Sequence, residues 1–254
     1  NGSLSRMSIQ KLKAIKHSID ENNNFVDISS VKASQLPDAD LLTYSFPCQD
    51  LSISSYWHGN FSGIDKDAGN RSGLLWQIER LLKEYQCIGK KMPRFLLMEN
   101  VSAIHGPLHE KNFKMWRKEL ESMGYLNHYY DLDSSDFGVP QSRVRTFMIS
   151  VYSQDLLNTQ KNAILNFFQT SNLNRASTAN PSLEMFLKLN YSDDEQYLKE
   201  ALESTPNFTE SRRRIYQDSL KLAYGNDLTG AIAKTITTKQ DRNPNAGIIV
   251  HQLE

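Results

Sequence analysis

The sequence contains little cysteine and no long apolar run. Its 254 residues include two cysteines, Cys48 and Cys87, which are too few for a disulfide framework and point to a reducing, cytoplasmic environment. No stretch approaches the roughly 18 consecutive apolar residues that cross a bilayer, and the chain does not open on a signal peptide. The six histidines do not stand at metal-ligand spacing with cysteine. These absences exclude a disulfide-stapled protein and a membrane-spanning one, and they predict no metal site.

Net charge is absent as well. The chain carries 29 basic and 29 acidic residues, and neither residues 1–155 nor residues 156–254 have an excess of either sign. A basic domain is the simplest sign of a nucleic-acid-binding protein, so bulk charge argues mildly against that class. Binding to nucleic acid would have to depend on local patches of charge.

Apolar segments with two periodicities alternate along the first 155 residues. The runs 41–46 and 94–100 have the apolar character of buried strands, whereas 71–86 places its leucines and isoleucine on one helical face. We predict strands over 25–28, 41–46, 94–100, 126–132 and 146–152. We predict helices over 5–19, over 71–86 and around 113–123. This alternation favours an α/β fold with helices on both faces of a sheet.

The chain changes character after Tyr152. Its remaining residues are rich in Asn, Ser, Thr and Lys, with helical patches near 182–203 and 212–224. We therefore predict two domains, 1–155 and 156–254, of which the second is smaller and irregular.

Two residues capable of chemistry end two of the predicted strands. Cys48 follows Pro47, which stops the ladder because it has no N–H to donate, and Glu99 ends the apolar run FLLM. Open α/β sheets bind their ligands at the carboxyl ends of strands, so one cleft would hold the thiol and the carboxylate together. A free cysteine is as often a small buried hydrophobe, and a terminal carboxylate also serves as a helix cap or in a structural ion pair. The local pattern leaves these alternatives open.

A third element is the segment PQSRVR at 140–145. Arg143 and Arg145 are two residues apart, which puts them on the same side of an extended segment just before a predicted strand. Surface arginines are common, so the pair alone is weak evidence. A thiolate that adds to a ring, a carboxylate that holds or protonates a ring nitrogen and an arginine that binds a ring carbonyl together suit attack on a polar heterocycle.

Three short motifs, in this order, make the sequence recognisable. PCQ at 47–49, ENV at 99–101 and QSRVR at 141–145 resemble the signature motifs of the DNA (cytosine-5) methyltransferases, and the likeness covers roughly residues 25–152. The resemblance implies a Rossmann-like, S-adenosylmethionine-dependent methyltransferase sheet, followed by a target-recognition domain over 156–254. It also implies methyl transfer from S-adenosylmethionine to C5 of a flipped-out cytosine in a specific site of double-stranded DNA.

Matching positions carry the family's roles onto this sequence. The resemblance implies that Cys48 adds to cytosine C6, that Glu99 engages N3 and the exocyclic amine, and that Arg145 binds O2. Arg143 would support that arrangement. For the cofactor, the resemblance implies contacts from Asp27, Ile28, Pro47 and Leu74.

DNA contacts are expected from two regions. The polar stretch 49–70 is long for a loop inside a compact domain and would be a mobile lid over the DNA, with Gln49 and Ser52 among its contacts. In the recognition domain the candidates are Arg212, Arg213, Arg214, Lys239 and Arg242, which are able to contact base edges or phosphates. A solvated helix start and a turn are the alternatives for these two segments. The resemblance also implies a restriction–modification system, with a cognate restriction endonuclease as a partner.

The resemblance is incomplete at both ends. The Gly-rich loop that opens the family's cofactor half is not in the sequence, and neither are the family's last motifs. The 254 residues alone are therefore expected to bind S-adenosylmethionine weakly and to lack full catalytic competence. Three alternatives remain: an RNA cytosine-5 methyltransferase, a DNA-binding fragment without catalysis and, more remotely, a cysteine hydrolase, for which no histidine stands near Cys48 in a dyad motif.

Overall fold

The computed structural model of the chain describes most of the first 173 residues and shorter segments after them. The described residues are 7–22, 24–48, 51, 72–173, 182–187, 194–204, 209–219, 221–224, 231–236 and 244–250. The α-helices in these ranges are α1 (Ile9–Glu21), α2 (Leu75–Cys87), α3 (Glu110–Ser122), α4 (Asn158–Thr170), α5 (Glu195–Ser204) and α6 (Glu210–Asp218). The strands are β1 (Leu41–Tyr44), β2 (Phe95–Asn100), β3 (Tyr125–Asp133), β4 (Gln141–Ser142), β5 (Val144–Tyr152), β6 (Lys221–Tyr224), β7 (Ala233–Lys234) and β8 (Ile248–Val250).

The largest sheet within the described residues is mixed and has the strand order β1-β2-β5-β3. β1 is parallel to β2, whereas β5 is antiparallel to both β2 and β3. β1, β2 and β3 therefore run in one direction and end at the same edge of the sheet, where β5 begins. This edge brings together segments that are far apart in the sequence.

One face of this sheet packs against α2 and α3. Leu96 and Met98 of β2 and Met148 of β5 are fully or almost fully buried on it, in one cluster with the apolar side chains of the two helices. Trp116 of α3 is fully buried in the same cluster, and its indole N–H donates a hydrogen bond to the Tyr44 hydroxyl at 3.2 Å. This packing fixes the position of the ends of β1 and β2.

The opposite face of the sheet carries α4. His128 of β3 pairs with Ile149 in the register and so points away from the face that holds Met148. Phe168 of α4 is buried and stacks on the His128 ring, with ring centroids 5.3 Å apart and ring planes 15° apart. The prediction of an α/β sheet with helices on both faces is confirmed.

The strand predicted over 25–28 is wrong. Asp27 instead caps a 3-10 turn, Ile28–Ser30, because its carboxylate accepts the Ser29 N–H at 2.9 Å. The apolar side chains of Phe25 and Val26 are exposed and do not pack as a strand would require. The strands that end before Cys48 and at Glu99–Asn100 are confirmed.

The region after residue 155 is described only in part. The helix predicted over 212–224 ends at Asp218 as α6, and residues 221–224 form β6, which pairs in parallel with β8. The patch predicted near 182–203 is a 3-10 turn, Leu183–Phe186, and the separate helix α5. β7 pairs in parallel with β4, so this region is hydrogen-bonded to the segment just before β5. The two-domain division at residue 155 stays a prediction.

We expect acid to loosen the contact between α4 and the sheet. Burial, together with the positive charge of Arg117, lowers the pKa of His128, so the fold favours its neutral ring. The stabilising contribution is therefore present above the ordinary histidine pKa of about 6.5, and it is lost as pH falls through the lower folded-state value. His128→Phe keeps an aromatic ring against Phe168 but removes the titrating group.

The measurement is the urea midpoint of unfolding at about pH 7.5 and about pH 5, which lie on either side of histidine titration. The His128→Phe protein should lose less stability on acidification than the unaltered protein. His17→Gln is the control, since His17 lies exposed on α1 and its removal should leave that loss largely unchanged. Equal acid sensitivity of His128→Phe and the unaltered protein would contradict the expectation.

Candidate functional site

A charged cluster lies at the edge where β2 ends and β5 begins. Arg145, near the start of β5, approaches the Glu99 carboxylate with 3.2 Å between Nε and Oε1. The Arg145 side chain is 17% exposed and that of Glu99 is 36% exposed, so the pair is half-buried. Antiparallel pairing of β2 with β5 explains why these residues meet. The structure thus brings together two of the predicted catalytic residues.

Ser45 is the part of this cluster that the sequence did not single out. It follows β1, and its hydroxyl Oγ donates to Glu99 Oε2 at 2.9 Å. Both carboxylate oxygens of Glu99 are therefore engaged, one by Arg145 and the other by Ser45. A lone serine three residues before a cysteine carries no signature, and only the parallel pairing of β1 with β2 reveals its role.

Cys48 lies in the turn that follows this serine. Its side chain is half-buried, and its carbonyl oxygen accepts the Leu51 N–H at 3.1 Å. The turn is tied to β2 because the buried Asn100 side chain donates Nδ2–H to the Phe46 carbonyl at 3.0 Å. The Asn100 Oδ1 atom also accepts the Val101 N–H at 2.9 Å. Asn100 of the ENV motif thus holds the cysteine-bearing segment beside the strand that carries Glu99.

Arg145 links the carboxylate and the thiol electrostatically. Burial and repulsion from the Arg143 guanidinium lower the pKa of Arg145, whereas attraction to Glu99 and to Cys48 acts in the opposite direction. An arginine remains protonated under such shifts. Arg145 therefore stays positively charged, in contact with Glu99 and under the electrostatic influence of Cys48.

Arg143 lies on the turn between β4 and β5. Its backbone N–H donates to Asp133 Oδ1 at 2.9 Å, and the same oxygen accepts the Ser135 N–H at 3.0 Å. These bonds hold the backbone at Arg143. The Arg143 side chain is exposed and lines a cavity of about 380 Å³ together with Glu99 and Arg145. The prediction that the paired arginines face the same side is confirmed, since both line this cavity. Asp133, which anchors the backbone of Arg143, was missed.

A second cavity, of about 730 Å³, lies on the β1 side of the cluster. The predicted cofactor residues all line it, namely Asp27, Ile28, Pro47 and Leu74. Pockets for ligands of cofactor size are typically about 300–1,000 Å³, so the volume fits such a ligand. Hydrogen bonds from Ser29 lower the pKa of Asp27, which keeps a carboxylate at the rim. The exposed apolar surface of Phe25 and Val26 at this cavity suits a flat heterocycle.

Arg80 of α2 holds the wall of this cavity in place. Its Nη2 atom donates to the carbonyls of Ile28 and Val31, each at 2.9 Å. Its Nη1 atom pairs with Glu84, and the other Glu84 oxygen accepts the Ala33 N–H at 2.9 Å. The segment after the 3-10 turn is thereby fastened to α2. The sequence did not predict this role for Arg80, because an arginine in an amphipathic helix is usually solvent-exposed.

The predicted DNA contacts lie only partly within the described residues. Arg212, Arg213 and Arg214 are on α6, which Thr209 caps. Arg214 is exposed, with its Nε 3.5 Å from Glu210. Most of the predicted lid over 49–70 lies outside the described residues, as do Gln49, Ser52, Lys239 and Arg242. A DNA-binding role for any of these residues stays a prediction.

Neither a metal centre nor a membrane segment is found in the described part of the chain. No group of histidine, cysteine and carboxylate side chains there is arranged to hold a metal ion. None of the described helices combines the length and the apolar character that crossing a bilayer requires.

Comparison with known proteins assigns the chain to a family. The family model for C-5 cytosine-specific DNA methylase matches residues 6–252, which is nearly the whole chain. The chain belongs to the C-5 cytosine-specific DNA methylase family. The family that the sequence resemblance implied is thereby confirmed.

Curated relatives of this methylase chain are similar over part of their length. It is 38% identical over 193 residues to the type II methyltransferase M2.ScrFI of Lactococcus lactis subsp. cremoris, which covers 75% of this chain and 49% of that protein. It is 41% identical over 157 residues to the orphan methyltransferase M.SssI of Spiroplasma monobiae, covering 61% of this chain and 39% of that protein. The chain thus spans half or less of the length of these relatives.

Solved structures show the same fold. The methylase chain is similar to the Dnmt2 methyltransferase of S. pombe with a TM-score of 0.54 and 17% identity, covering 91% of this chain and 61% of that one. It is similar to the methyltransferase EhMeth of Entamoeba histolytica with a TM-score of 0.52 and 15% identity, covering 89% and 59%. The expected Rossmann-like methyltransferase sheet is thereby confirmed, while the smaller second domain stays a prediction.

We expect Arg80→Met to destabilise the fold through the cavity wall. The change keeps the aliphatic stem and the helix propensity but removes the donors to Ile28 and Val31. Because these bonds are half-buried, with the Arg80 side chain 31% exposed, the loss should cost about 1–2 kcal/mol in the free energy of unfolding. Arg94→Met is the matched control: Arg94 is 69% exposed and its Nε lies 3.7 Å from Asp40, so about 0.5 kcal/mol or less is expected. Equal costs in urea unfolding would contradict this assignment.

Proposed function

We propose that the protein carrying this chain is a DNA (cytosine-5-)-methyltransferase. It transfers a methyl group from S-adenosylmethionine to C5 of a cytosine flipped out of double-stranded DNA. The matching family model, described as C-5 cytosine-specific DNA methylase, supports DNA over an RNA substrate. The relatives named as methyltransferases support catalysis over a fragment that only binds DNA. Likeness to the solved methyltransferases concerns the fold alone and favours no substrate.

The observation that carries the proposal is the position of the segment 45–48. Ser45, Phe46 and Pro47 line the cavity of about 730 Å³. The next residue, Cys48, lies within electrostatic range of Arg145, which pairs with Glu99 beside the cavity of about 380 Å³. One short segment therefore separates a cavity suited to a methyl donor from a cluster suited to a nucleobase.

The chemistry assigned to the cluster follows from its groups. The Cys48 thiolate adds to C6 of the cytosine, which moves electron density to C5. Glu99 holds N3 and the exocyclic amine, and Arg145 binds O2 and stabilises the negative charge that develops on the ring. Arg143 supports Arg145 from the turn held by Asp133. After methyl transfer, the C5 proton passes to solvent, the electrons of the C5–H bond re-form the C5–C6 double bond, and the Cys48 sulfur departs from C6 as the thiolate.

The cofactor side is assigned to the cavity beside β1. Bound S-adenosylmethionine would supply an electrophilic methyl group on a sulfonium. Asp27 and Ile28 would hold its adenine side, and Pro47 and Leu74 would line the part nearer Cys48. Arg80 maintains this wall by its bonds to the carbonyls of Ile28 and Val31. These side chains orient the donor and exclude water from the reacting centre.

Sequence choice and biological setting complete the proposal. We assign DNA recognition to the region 156–254, with the α6 arginines as candidates for base-edge or phosphate contacts. A role in a cytoplasmic restriction–modification system, with a cognate endonuclease as partner, is supported by the type II name of one relative, while the orphan name of the other fits a stand-alone enzyme.

We expect Cys48 to form the covalent bond to the base. The test uses the intact protein with S-adenosylmethionine and duplex DNA whose cytosines are replaced by 5-fluorocytosine, so the recognised sequence need not be known. Fluorine does not leave as a cation, so the methylated addition product should survive denaturation and shift the protein on a gel. Cys48→Ala should abolish the adduct. Cys87→Ala, at the exposed end of α2, should leave it unchanged.

Two results would overturn the proposal. A denaturant-stable adduct in Cys48→Ala would show that another group is the nucleophile. Failure of the unaltered intact protein to form the adduct and to transfer a labelled methyl group to any cytosine-containing duplex would remove the assigned activity.

A further inference from the structure

We propose that Ser45 is a positioning residue that sets the orientation of the Glu99 carboxylate for the reaction. The inference rests on the proposed function and assigns a role to a residue outside the PCQ, ENV and QSRVR motifs. Its basis is the hydrogen bond from Ser45 Oγ to Glu99 Oε2 at 2.9 Å, opposite the Arg145 contact to Oε1 at 3.2 Å.

A carboxylate needs such a second contact to be fixed. The last torsion of a glutamate side chain is broad, so a single partner leaves the carboxylate plane free to rotate. Arg145 alone holds Oε1 and does not determine where Oε2 points. The Ser45 hydroxyl supplies the second point and therefore fixes the plane in which Glu99 meets the edge of a base.

The position of Ser45 distinguishes this role from a structural one. Ser45 is exposed at the end of β1, where a hydroxyl contributes little to stability. It belongs to the lining of the donor cavity, whereas Glu99 belongs to the lining of the cavity with Arg143 and Arg145. The Ser45–Glu99 bond therefore spans from one cavity to the other.

The kinetic consequence is specific. Glu99 acts on the ring as charge develops, so its misorientation should slow the chemical step more than it weakens binding of the ground state. We expect Ser45→Ala to lower kcat about 10-fold, as for the loss of one hydrogen bond to a charged group. KM for DNA and KM for S-adenosylmethionine should stay within about 2-fold, because Ser45→Ala removes only a hydroxyl that donates to Glu99 and leaves the rest of the donor-cavity lining in place.

The experiment compares three variants of the intact protein by steady-state methyl transfer and by thermal unfolding. Ser45→Ala removes the hydroxyl, and Ser45→Thr retains it at an exposed position that has room for a methyl group. Ser122→Ala is the matched control, since the Ser122 hydroxyl is exposed at the end of α3 and donates only to the Glu119 carbonyl. The expected result is a lower kcat in Ser45→Ala alone, with kcat largely restored in Ser45→Thr and melting temperatures unchanged.

The outcomes separate the two proposals. An inactive unaltered protein would sink the proposed function itself. If the unaltered protein is active, an unchanged kcat in Ser45→Ala overturns the positioning role and leaves the function standing. A rise in KM for S-adenosylmethionine without a fall in kcat would reduce Ser45 to a lining residue of the donor cavity. An equal loss of kcat in Ser45→Thr would also overturn the inference, because the hydroxyl is still present.

Discussion

The contact between Glu99 and Arg145 is the constraint on which the site depends. It joins the carboxyl end of a parallel strand to the first residues of the antiparallel strand beside it. The contact requires β5 to lie beside β2 and to run antiparallel to it. The parallel pairing of β1 with β2 puts the end of β1 at the same edge, which brings Ser45 to Glu99 and places Cys48 in the turn that follows. A different strand order would separate the carboxylate from the guanidinium.

The stability of the fold does not explain this contact. A half-exposed ion pair contributes about 0–1 kcal/mol, and a buried one often contributes less than well-packed apolar side chains would. The stabilising interactions lie elsewhere, in the cluster around Leu96, Met98 and Trp116. Beside that core, a charged pair that faces a cavity is better explained by chemistry than by packing. The ion pair that was the structural alternative for Glu99 is thus formed, but it contributes little to the free energy of unfolding.

The sequence predicted those parts of the architecture that have local signals. The apolar runs before Cys48 and Glu99 announce buried strands, and the parallel arrangement of these strands puts both residues at one edge. The strand prediction for residues 25–28 was wrong because Phe25, Val26 and Ile28 are residue types that favour strands. The Asp27 side chain instead accepts a backbone hydrogen bond and caps a 3-10 turn. The helix predicted over 212–224 is wrong beyond Asp218, because residues 221–224 pair with β8 and form a strand there.

The remaining parts of the site have no local signal. Ser45 and Arg80 act through partners about 50 residues away in the sequence, and neither the residue type nor the neighbouring residues indicate those partners. Asp133 contacts residues across the turn that precedes β5, and its residue type does not indicate them either. The stack of Phe168 on His128 is of the same kind, since it depends on where α4 crosses the sheet. Motifs therefore indicate the proposed reacting groups, while the residues that contact those groups are found only once the strands are paired.

The most direct measurement of the central claim is the turnover of Glu99→Gln in the intact protein. The change keeps the shape of the side chain and removes its charge, so kcat should fall about 10²-fold or more with little change in melting temperature. Glu119→Gln is the matched control, because Glu119 is similarly exposed and pairs with Lys83 at 3.2 Å on the helical side of the core. Unchanged turnover together with a lower melting temperature in Glu99→Gln would show that the contact with Arg145 serves the fold, and would contradict the account.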